Sequence, residues 1–348
     1  MGNAIGNGVA AGIGAGIGAG VGNRLGNRNN IGDRTNIGDR NNIGNQFGDT
    51  NINTGDIRLG NNNVINNRQN WSNLDSNRLN NINQNWGNQV GNLQNWQNAN
   101  GARLDNWQNW GNDVRNNWDH YHDYGNWYGN NWWHDHAHDW CGWHYGQSFV
   151  NHPWGYWWTA PTYAAVSNWF SWPTPAPAEV WSQPVYYDYG QGGNVTYADN
   201  SVYVNNQPIA TAEEFAQSAS QLATVAPPPS EAEAEKAEWL ALGTFVVSSG
   251  KKDLNPTRTV QLAVNKQGVV SGTLYNSETD QAQTVQGQVD KQTQRVAFRV
   301  GSSNDIVVET GIYNLTKDEA PALIHFGKDR VENYLLVRLK QPDEQSGG

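Results

Sequence analysis

Hydrophobic and polar residues alternate most regularly in the last third of the chain. The alternation is clear in Gln261-Leu262-Ala263-Val264 and through Arg295–Val300, as a strand with one buried face requires. Further short apolar segments follow one another at close spacing. The predicted strands are Leu242–Ser248, Thr257–Asn265, Val269–Tyr275, Thr284–Val289, Gln294–Val300, Ile306–Tyr313, Ala322–Phe326 and Tyr334–Leu339. Residues 230–348 therefore predict an all-β antiparallel meander, folded as a barrel or as a sandwich.

Turn residues support this reading. Asn265-Lys266-Gln267-Gly268 places a glycine where a hairpin turn needs positive φ, and Asp290-Lys291-Gln292-Thr293 predicts another turn. The strand order and turn rhythm are similar to the meanders of avidins and lipocalins. This likeness concerns the fold and implies no ligand.

A small strand–helix unit is predicted over residues 185–229. Val195-Thr196-Tyr197 and Ser201-Val202-Tyr203-Val204 flank Ala198-Asp199-Asn200, which is typical of a β-hairpin. Thr211 and Glu214 have the spacing of a capping box that opens a helix to about Ala223. Ser230 and Glu233 repeat that spacing beyond the Pro227–Pro229 run.

Residues 67–122 combine an Asn-rich composition with helical periodicity. Apolar residues recur in steps of three and four, first at Leu79, Ile82, Trp86, Val90, Leu93 and Trp96, then at Leu104, Trp107, Trp110, Val114 and Trp118. This spacing predicts an α-helical hairpin broken near Gly101. The alternative is a disordered Asn-rich tract with scattered tryptophans.

The fold class is accordingly mixed and modular. Residues 1–66 form a Gly/Asn/Arg-rich low-complexity repeat region, which we expect to be disordered, with a hexapeptide β-helix as the alternative for its six-residue period. Gly8, Gly12, Gly16 and Gly20 follow a small-residue spacing known from membrane helices. Because residues 8–22 are short for a span, a flexible linker is favoured over membrane contact or the remnant of an export signal.

Residues 123–184 predict an aromatic loop region rich in His and Trp. One short helix is expected over Thr162–Phe170, and Pro173, Pro175 and Pro177 predict an extended linker. The chain holds 18 tryptophans, of which 17 lie between Trp71 and Trp181. Their concentration among asparagines suggests that the indole rings contact other molecules or one another.

Charge separates the chain into unlike parts. Residues 1–110 carry 8 Arg against 6 Asp, whereas residues 111–237 carry 2 basic against 13 acidic side chains. The net charge of −10 and the absence of a basic stripe argue against nucleic acid as a partner. A single cysteine, Cys141, excludes an internal disulfide framework, and no signal peptide is visible in this chain.

Histidines form the first candidate site. His134, His136 and His138 would share one edge of an extended segment, with His120 and His122 nearby in sequence. Three imidazoles on one edge can hold Zn or Cu. Polar loop histidines are the favoured alternative, because His-rich tracts are a compositional signal.

Four aromatic residues form the second candidate site. Trp154, Tyr156, Trp157 and Trp158 are dense enough to stack on the faces of sugar rings. The favoured alternative is that these rings pack against one another in a core. No nucleophile motif, dinucleotide-binding spacing or paired general base is recognisable, so we expect no enzyme and no catalytic residues.

Four C-terminal segments carry a resemblance. They are Gln261–Lys266, Gly311–Asp318, His325–Arg330 and Leu335–Leu339. Together with the Asn/Trp/Gly-rich middle, they resemble a family of planctomycete cell-surface proteins labelled mu-protocadherin-like. The resemblance covers most of the chain from about Gly22 onward. It implies a location at the cell surface or outside the cell, and it implies no reaction.

We therefore predict a non-enzymatic cell-surface or secreted interaction protein with its Trp-rich middle as the contact region. The expected partners are other envelope or matrix proteins, or polysaccharide. A carbohydrate-binding module and a His-dependent metal-binding protein are the two alternatives.

Overall fold

The computed structural model of the protein describes residues 74–122, 124–137, 142–145, 152–172, 178–301, 306–328 and 330–342. The predictions for residues 1–66, for the glycine spacing in 8–22 and for the proline linker lie outside these residues, as do His138 and Cys141. No helix within the described ranges is long and apolar enough to cross a membrane.

Eleven strands and nine α-helices are present in the described residues. The strands are β1 (Val195–Ala198), β2 (Ser201–Val204), β3 (Gln207–Thr211), β4 (Trp239–Ser248), β5 (Arg258–Asn265), β6 (Val269–Asn276), β7 (Gln281–Val289), β8 (Arg295–Val300), β9 (Ile306–Gly311), β10 (Glu319–Phe326) and β11 (Val331–Arg338). The helices are α1 (Ser76–Gly87), α2 (Val90–Gln94), α3 (Trp96–Ala99), α4 (Gly101–Tyr121), α5 (Asn130–Asp135), α6 (Tyr163–Trp169), α7 (Ala178–Trp181), α8 (Ala212–Leu222) and α9 (Glu231–Glu235). Two 3₁₀ helices span Trp154–Trp158 and Asn314–Thr316.

Strands β4 to β11 form a closed antiparallel barrel, so the meander is a barrel and not a sandwich. Each strand pairs with its neighbour in sequence, and β11 returns to β4 through the pairs Leu335↔Ser248 and Val337↔Val246. Closure leaves no unpaired edge strand. All eight strands predicted from alternation are present, with ends shifted by a few residues.

Two glycines with positive φ shape a turn and a bulge in this barrel. Gly268 has φ +95° between β5 and β6, as the hairpin signal predicts. Gly243 has φ +106° at a β-bulge, where the register of β4 against β5 shifts between Ala241 and Gly243. Both positions suit glycine because a Cβ disfavours positive φ.

One end of the barrel is closed by the segment that precedes the small unit. Phe170 and Trp181 are buried in the same core as the barrel interior. The Trp169 indole donates to the carbonyl of Val264 at 3.0 Å, and that of Trp181 donates to the carbonyl of Lys291 at 2.7 Å. These bonds fix the segment to the end of strand β5 and to the loop that follows β7. The predicted helix over Thr162–Phe170 is confirmed as α6.

The small unit is a three-stranded sheet with helix α8 behind it. Asp199 and Asn200 both have positive φ in the predicted hairpin turn, at 49° and 59°. Thr211 and Glu214 complete the predicted capping box at the start of α8. Alternation did not predict the edge strand β3, where Pro208 interrupts the pattern.

The predicted helical hairpin is present as α1 and α4, joined by the two short helices α2 and α3. Asp75 caps α1 by accepting from the backbone N–H of Asn77 at 2.9 Å. Asparagine is a poor helix former, so these helices depend on packing. Arg103 in α4 supplies part of it, since its Nε donates to the buried Asp188 carboxylate at 2.5 Å.

The Trp-rich segment covers the outer face of the barrel. Outward-facing barrel residues and rings of this segment form one buried cluster, comprising Trp107, Trp110, Val114, Trp118, Tyr124, Tyr128, Trp132, Trp158, Val246, Tyr275, Leu335, Val337 and Leu339. The barrel is thus apolar on both faces over part of its circumference. Burial of this apolar area stabilises helices whose own propensity is low.

Candidate functional site

The end of the barrel opposite Phe170 and Trp181 holds an apolar pocket. We call it the barrel pocket, and its lining residues are Val247, Arg258, Val260, Leu274, Phe298, Val300, Ile306, Val308, Ile324 and Leu336. Its cavity volume is about 20 Å³, and the space among the lining atoms reaches about 400 Å³ only when open solvent is counted. Val247 is the penultimate residue of β4, and Arg258 starts β5. The pocket therefore lies toward the end of the barrel where β4 turns into β5, opposite the closed end.

Cross-strand register explains why these residues meet. Val260 pairs with Leu274, and Val308 pairs with both Phe298 and Ile324. Directly opposed residues on antiparallel strands share one face of the sheet. The apolar residues that alternation places on the inner face of each strand thus form one continuous wall.

Arg258 alone is charged among the ten lining residues that the structure describes. It is in phase with Val260, Leu262 and Val264, which point into the barrel from the same strand. Its position at the start of β5 places the guanidinium nearer the entrance than Val260. The accessible surface inside the pocket is nevertheless entirely apolar, so Arg258 contributes carbon atoms to the wall.

Polar residues on neighbouring strands face the same interior. Gln283 lies directly opposite Leu274, and Glu332 lies directly opposite Ile324. Because both partners line the pocket, Gln283 and Glu332 also belong to the inner face. Glu332 accepts an ion pair from Arg330 at 3.2 Å, and its side chain is 12% exposed.

The lining residues of the described chain include no nucleophile and no pair of groups suited to acid–base transfer. The apolar wall can exclude water from an apolar guest. A cavity of this volume has room for about one water molecule, so a larger guest requires lining side chains to move apart.

A second polar group of residues lies outside the barrel wall and is closed to solvent. Arg295, Glu309 and His325 come from adjacent strands and lie beneath α8 and Trp86. Burial by itself would raise the pKa of the Glu309 carboxyl, but Arg295 and His325 outweigh it and hold that pKa below its usual range. Since no path to solvent reaches this group, its role is structural.

The predicted histidine site is not assembled in the described residues. His134 lies in helix α5 and His136 follows that helix, so the extended edge on which the metal hypothesis depends is absent at these two positions. His136 stacks on Trp132 and its Nε2 lies 2.9 Å from Asp280. No group of three or more His, Cys, Asp or Glu within the described ranges is placed to hold a metal ion.

The two other histidines named with them lie at the end of helix α4. His120 is in its last turn and His122 is its C-cap residue. The His122 ring stacks on Trp118, with centroids 3.7 Å apart, and contacts the side chain of Asn255. Their surroundings are those of polar histidines on a helix end.

The four predicted stacking residues all lie in the 3₁₀ helix Trp154–Trp158, and their rings pack against other residues of the protein. Trp157 and Trp158 are buried, with exposures of 0% and 3%, so they present no ring face to a ligand. The ring of Tyr156 is covered by His152 at 4.0 Å. Trp154 is half-buried and its indole donates to the carbonyl of Trp127. The favoured alternative, an aromatic core, describes this arrangement.

Sequence patterns did not identify the barrel pocket. The signal was present as an arginine in phase with the inward-facing valines and leucine of β5. The sequence alone does not show which face of β5 lies inside the barrel, because both faces of this strand are buried. No protein-family model, curated protein or solved structure matches this chain.

Proposed function

We propose that this protein is a non-enzymatic binding protein whose barrel pocket takes up one small apolar molecule. The observation that supports the proposal is a continuous apolar wall in a barrel that is plugged at one end and has a pocket toward the other. The interior of an eight-stranded barrel is either filled by side chains or holds one small ligand.

A neutral fluorescent probe tests the proposal. N-phenyl-1-naphthylamine, which carries no charge, is titrated into the full chain. We expect saturable binding of one probe per chain with a blue-shifted, enhanced emission. Absence of saturable binding would contradict the proposal.

Two matched variants locate the probe. Val308→Trp places an indole inside the pocket, because Val308 is a lining residue. Gln288→Trp places the same ring on the outer face of β7, in the opposite phase to the inward-facing Val285 and Val289. We expect at least a tenfold loss of probe affinity in the first variant and no change in the second. Equal binding by both would place the probe elsewhere, and thermal unfolding of each variant verifies that it folds.

The location at the cell surface or outside the cell belongs to the same proposal. Its support is the resemblance of the four C-terminal segments to planctomycete cell-surface proteins. Cell fractionation with protease treatment of intact cells tests it, and a protease-protected cytoplasmic monomer would count against it.

A further inference from the structure

We propose that the surface around Trp143 is a recognition site for proline-rich peptides, and that the protein's own residues 224–229 occupy it in an autoinhibitory contact. These residues have the sequence Thr-Val-Ala-Pro-Pro-Pro, and we call them the proline segment. The segment joins helix α8, which ends at Leu222, to helix α9, which begins at Glu231. The site lies on the outside of the barrel and shares no residue with the barrel pocket.

The sequence of the proline segment dictates an extended backbone. Each proline ring fixes its φ at about −65°. A residue that precedes a proline avoids the helical region, which applies to Ala226, Pro227 and Pro228. Neither helix nor strand is present over residues 224–228. These restrictions favour a polyproline II helix, which has about three residues per turn and no internal backbone hydrogen bonds.

Burial along the proline segment has the period of such a helix. Val225 and Pro228 are half-buried, whereas the other four residues of the segment are exposed. Residues three apart lie on the same face of a polyproline II helix. The segment therefore turns one face toward the protein and leaves the rest in solvent.

Trp143 and Gly142 contact the inward face of the segment. The Trp143 indole donates to the carbonyl of Ala226 at 2.8 Å. Gly142 has φ +86°, and a Cβ at this position would lie 2.8 Å from Cδ of Pro228. Glycine thus allows the proline ring to approach the backbone closely. Aromatic-lined grooves bind proline-rich ligands in this manner, because the extended ligand is already formed and loses little entropy on binding.

The barrel holds the recognition site in place. The Ser271 hydroxyl of β6 donates to the carbonyl of Trp143 at 3.1 Å. Trp143 and Tyr156 are half-buried and pack against a cluster that contains the buried rings of Trp157 and Trp239. None of these contacts involves the proline segment. The site therefore keeps its shape when the segment leaves it.

The tether between α8 and α9 favours the protein's own segment over a free peptide. A short tether holds a ligand at an effective concentration of about millimolar. Beyond the site itself, the Gln286 amide reaches the carbonyl of Val225 only at 3.5 Å. The segment consequently blocks the site without being strongly fixed elsewhere by this bond. A partner protein with a proline-rich segment of higher affinity would displace it.

Removal of the prolines from the tether tests the proposal. A fluorescein-labelled peptide with the sequence of residues 224–230 is titrated into the full chain and into the triple variant Pro227→Gly/Pro228→Gly/Pro229→Gly, with anisotropy as the measurement. We expect the triple variant to bind the peptide at least about tenfold more tightly than the wild type, because the peptide no longer competes with a preformed tethered ligand. Equal affinities, or no binding by the triple variant, would overturn the proposal.

Pro228→Gly is a milder second variant. It removes only the ring that lies beside Gly142. Its affinity for the peptide should fall between those of the wild type and the triple variant. Thermal unfolding verifies that each variant folds. If the triple variant does not fold, wild-type affinity in Pro228→Gly would by itself overturn the proposal.

Two matched substitutions in the triple variant locate the bound peptide. Trp143→Phe keeps an aromatic ring and removes the indole N–H, so we expect about a tenfold loss of peptide affinity, which corresponds to one hydrogen bond. Trp154→Phe is the control, since Trp154 is also half-buried but donates to the carbonyl of Trp127 at 3.0 Å. It should leave the affinity unchanged. Equal effects of the two substitutions would place the peptide elsewhere and remove the proposal.

Discussion

Arg295 and Glu309 form an ion pair enclosed between the barrel wall and helix α8. Arg295 Nη2 donates to Glu309 Oε2 at 2.9 Å, and the two side chains are 1% and 0% exposed. The guanidinium lies 3.9 Å from the centroid of the Trp86 ring. The pair thus joins strands β8 and β9 and provides a flat cation against which the helical hairpin packs.

We expect Arg295→Met to destabilise the protein by about 3–5 kcal/mol, because it leaves the Glu309 carboxylate buried without its cation. The double variant Arg295→Met/Glu309→Leu should lose much less than the sum of the two single variants, since it removes both charges. Urea unfolding of all four proteins gives the coupling free energy. Additive losses would show that the two side chains act independently.

Alkaline pH should unfold the protein through its buried tyrosines. Burial raises the pKa of five fully buried phenols, those of Tyr128, Tyr145, Tyr187, Tyr189 and Tyr197. A group whose pKa is raised on folding contributes stability that is present below its unfolded pKa and is lost as the pH rises. The loss of stability therefore begins near pH 10, where tyrosine in the unfolded chain ionises.

Each of these tyrosines should remove about 1 kcal/mol of unfolding free energy between pH 10 and pH 11. Burial also lowers the pKa of Arg338 to about 10, which acts in the opposite direction and offsets a small part of the loss. Tyrosinate absorbance and circular dichroism, followed together, check the expectation. Ionisation of most tyrosines near pH 10 in a chain that stays folded would contradict it.

Trp86 should be essential to the attachment of the helical hairpin. Its ring is 0% exposed, it stacks on Phe215 at 5.3 Å, and its indole donates to the Tyr187 hydroxyl at 2.8 Å. We expect Trp86→Ala to destabilise the protein by about 3–5 kcal/mol.

Trp96→Ala is the matched control for this loss. Trp96 lies in the same hairpin but is half-buried, against Tyr186. Trp96→Ala should lower the free energy of unfolding by about 1 kcal/mol. Chemical denaturation measures both losses of unfolding free energy. Equally small losses in Trp86→Ala and Trp96→Ala would mean that the helical hairpin contributes little to the stability of the fold.

Gly243→Ala should destabilise the barrel by about 2 kcal/mol or more, because φ +106° is unfavourable for an L side chain. The added Cβ would also meet the Arg338 guanidinium, which donates to the carbonyl of Leu242 at 2.8 Å. Gly301→Ala serves as the comparison. Gly301 also has positive φ, at 64°, but an added Cβ there would meet no neighbouring atom. Thermal unfolding of both variants measures the difference, and equal melting temperatures would show that the contact with Arg338 is unimportant.

The sequence by itself determined the local elements. Alternation located the barrel strands, Thr211 and Glu214 marked the start of α8, and Gly268 marked a hairpin turn. Each of these signals depends on residues close together in the chain, where side-chain period and backbone geometry suffice.

Tertiary structure alone decided what those elements enclose and cover. Pairing of β11 with β4 chose the barrel over the sandwich, and closure turned Arg258 into a pocket residue. The tryptophans of the middle segment, which periodicity placed on helices, found their partners on the outer face of the barrel. Alternation gives only the phase of a strand and cannot say which buried face is inside, because that depends on pairings between residues far apart in sequence.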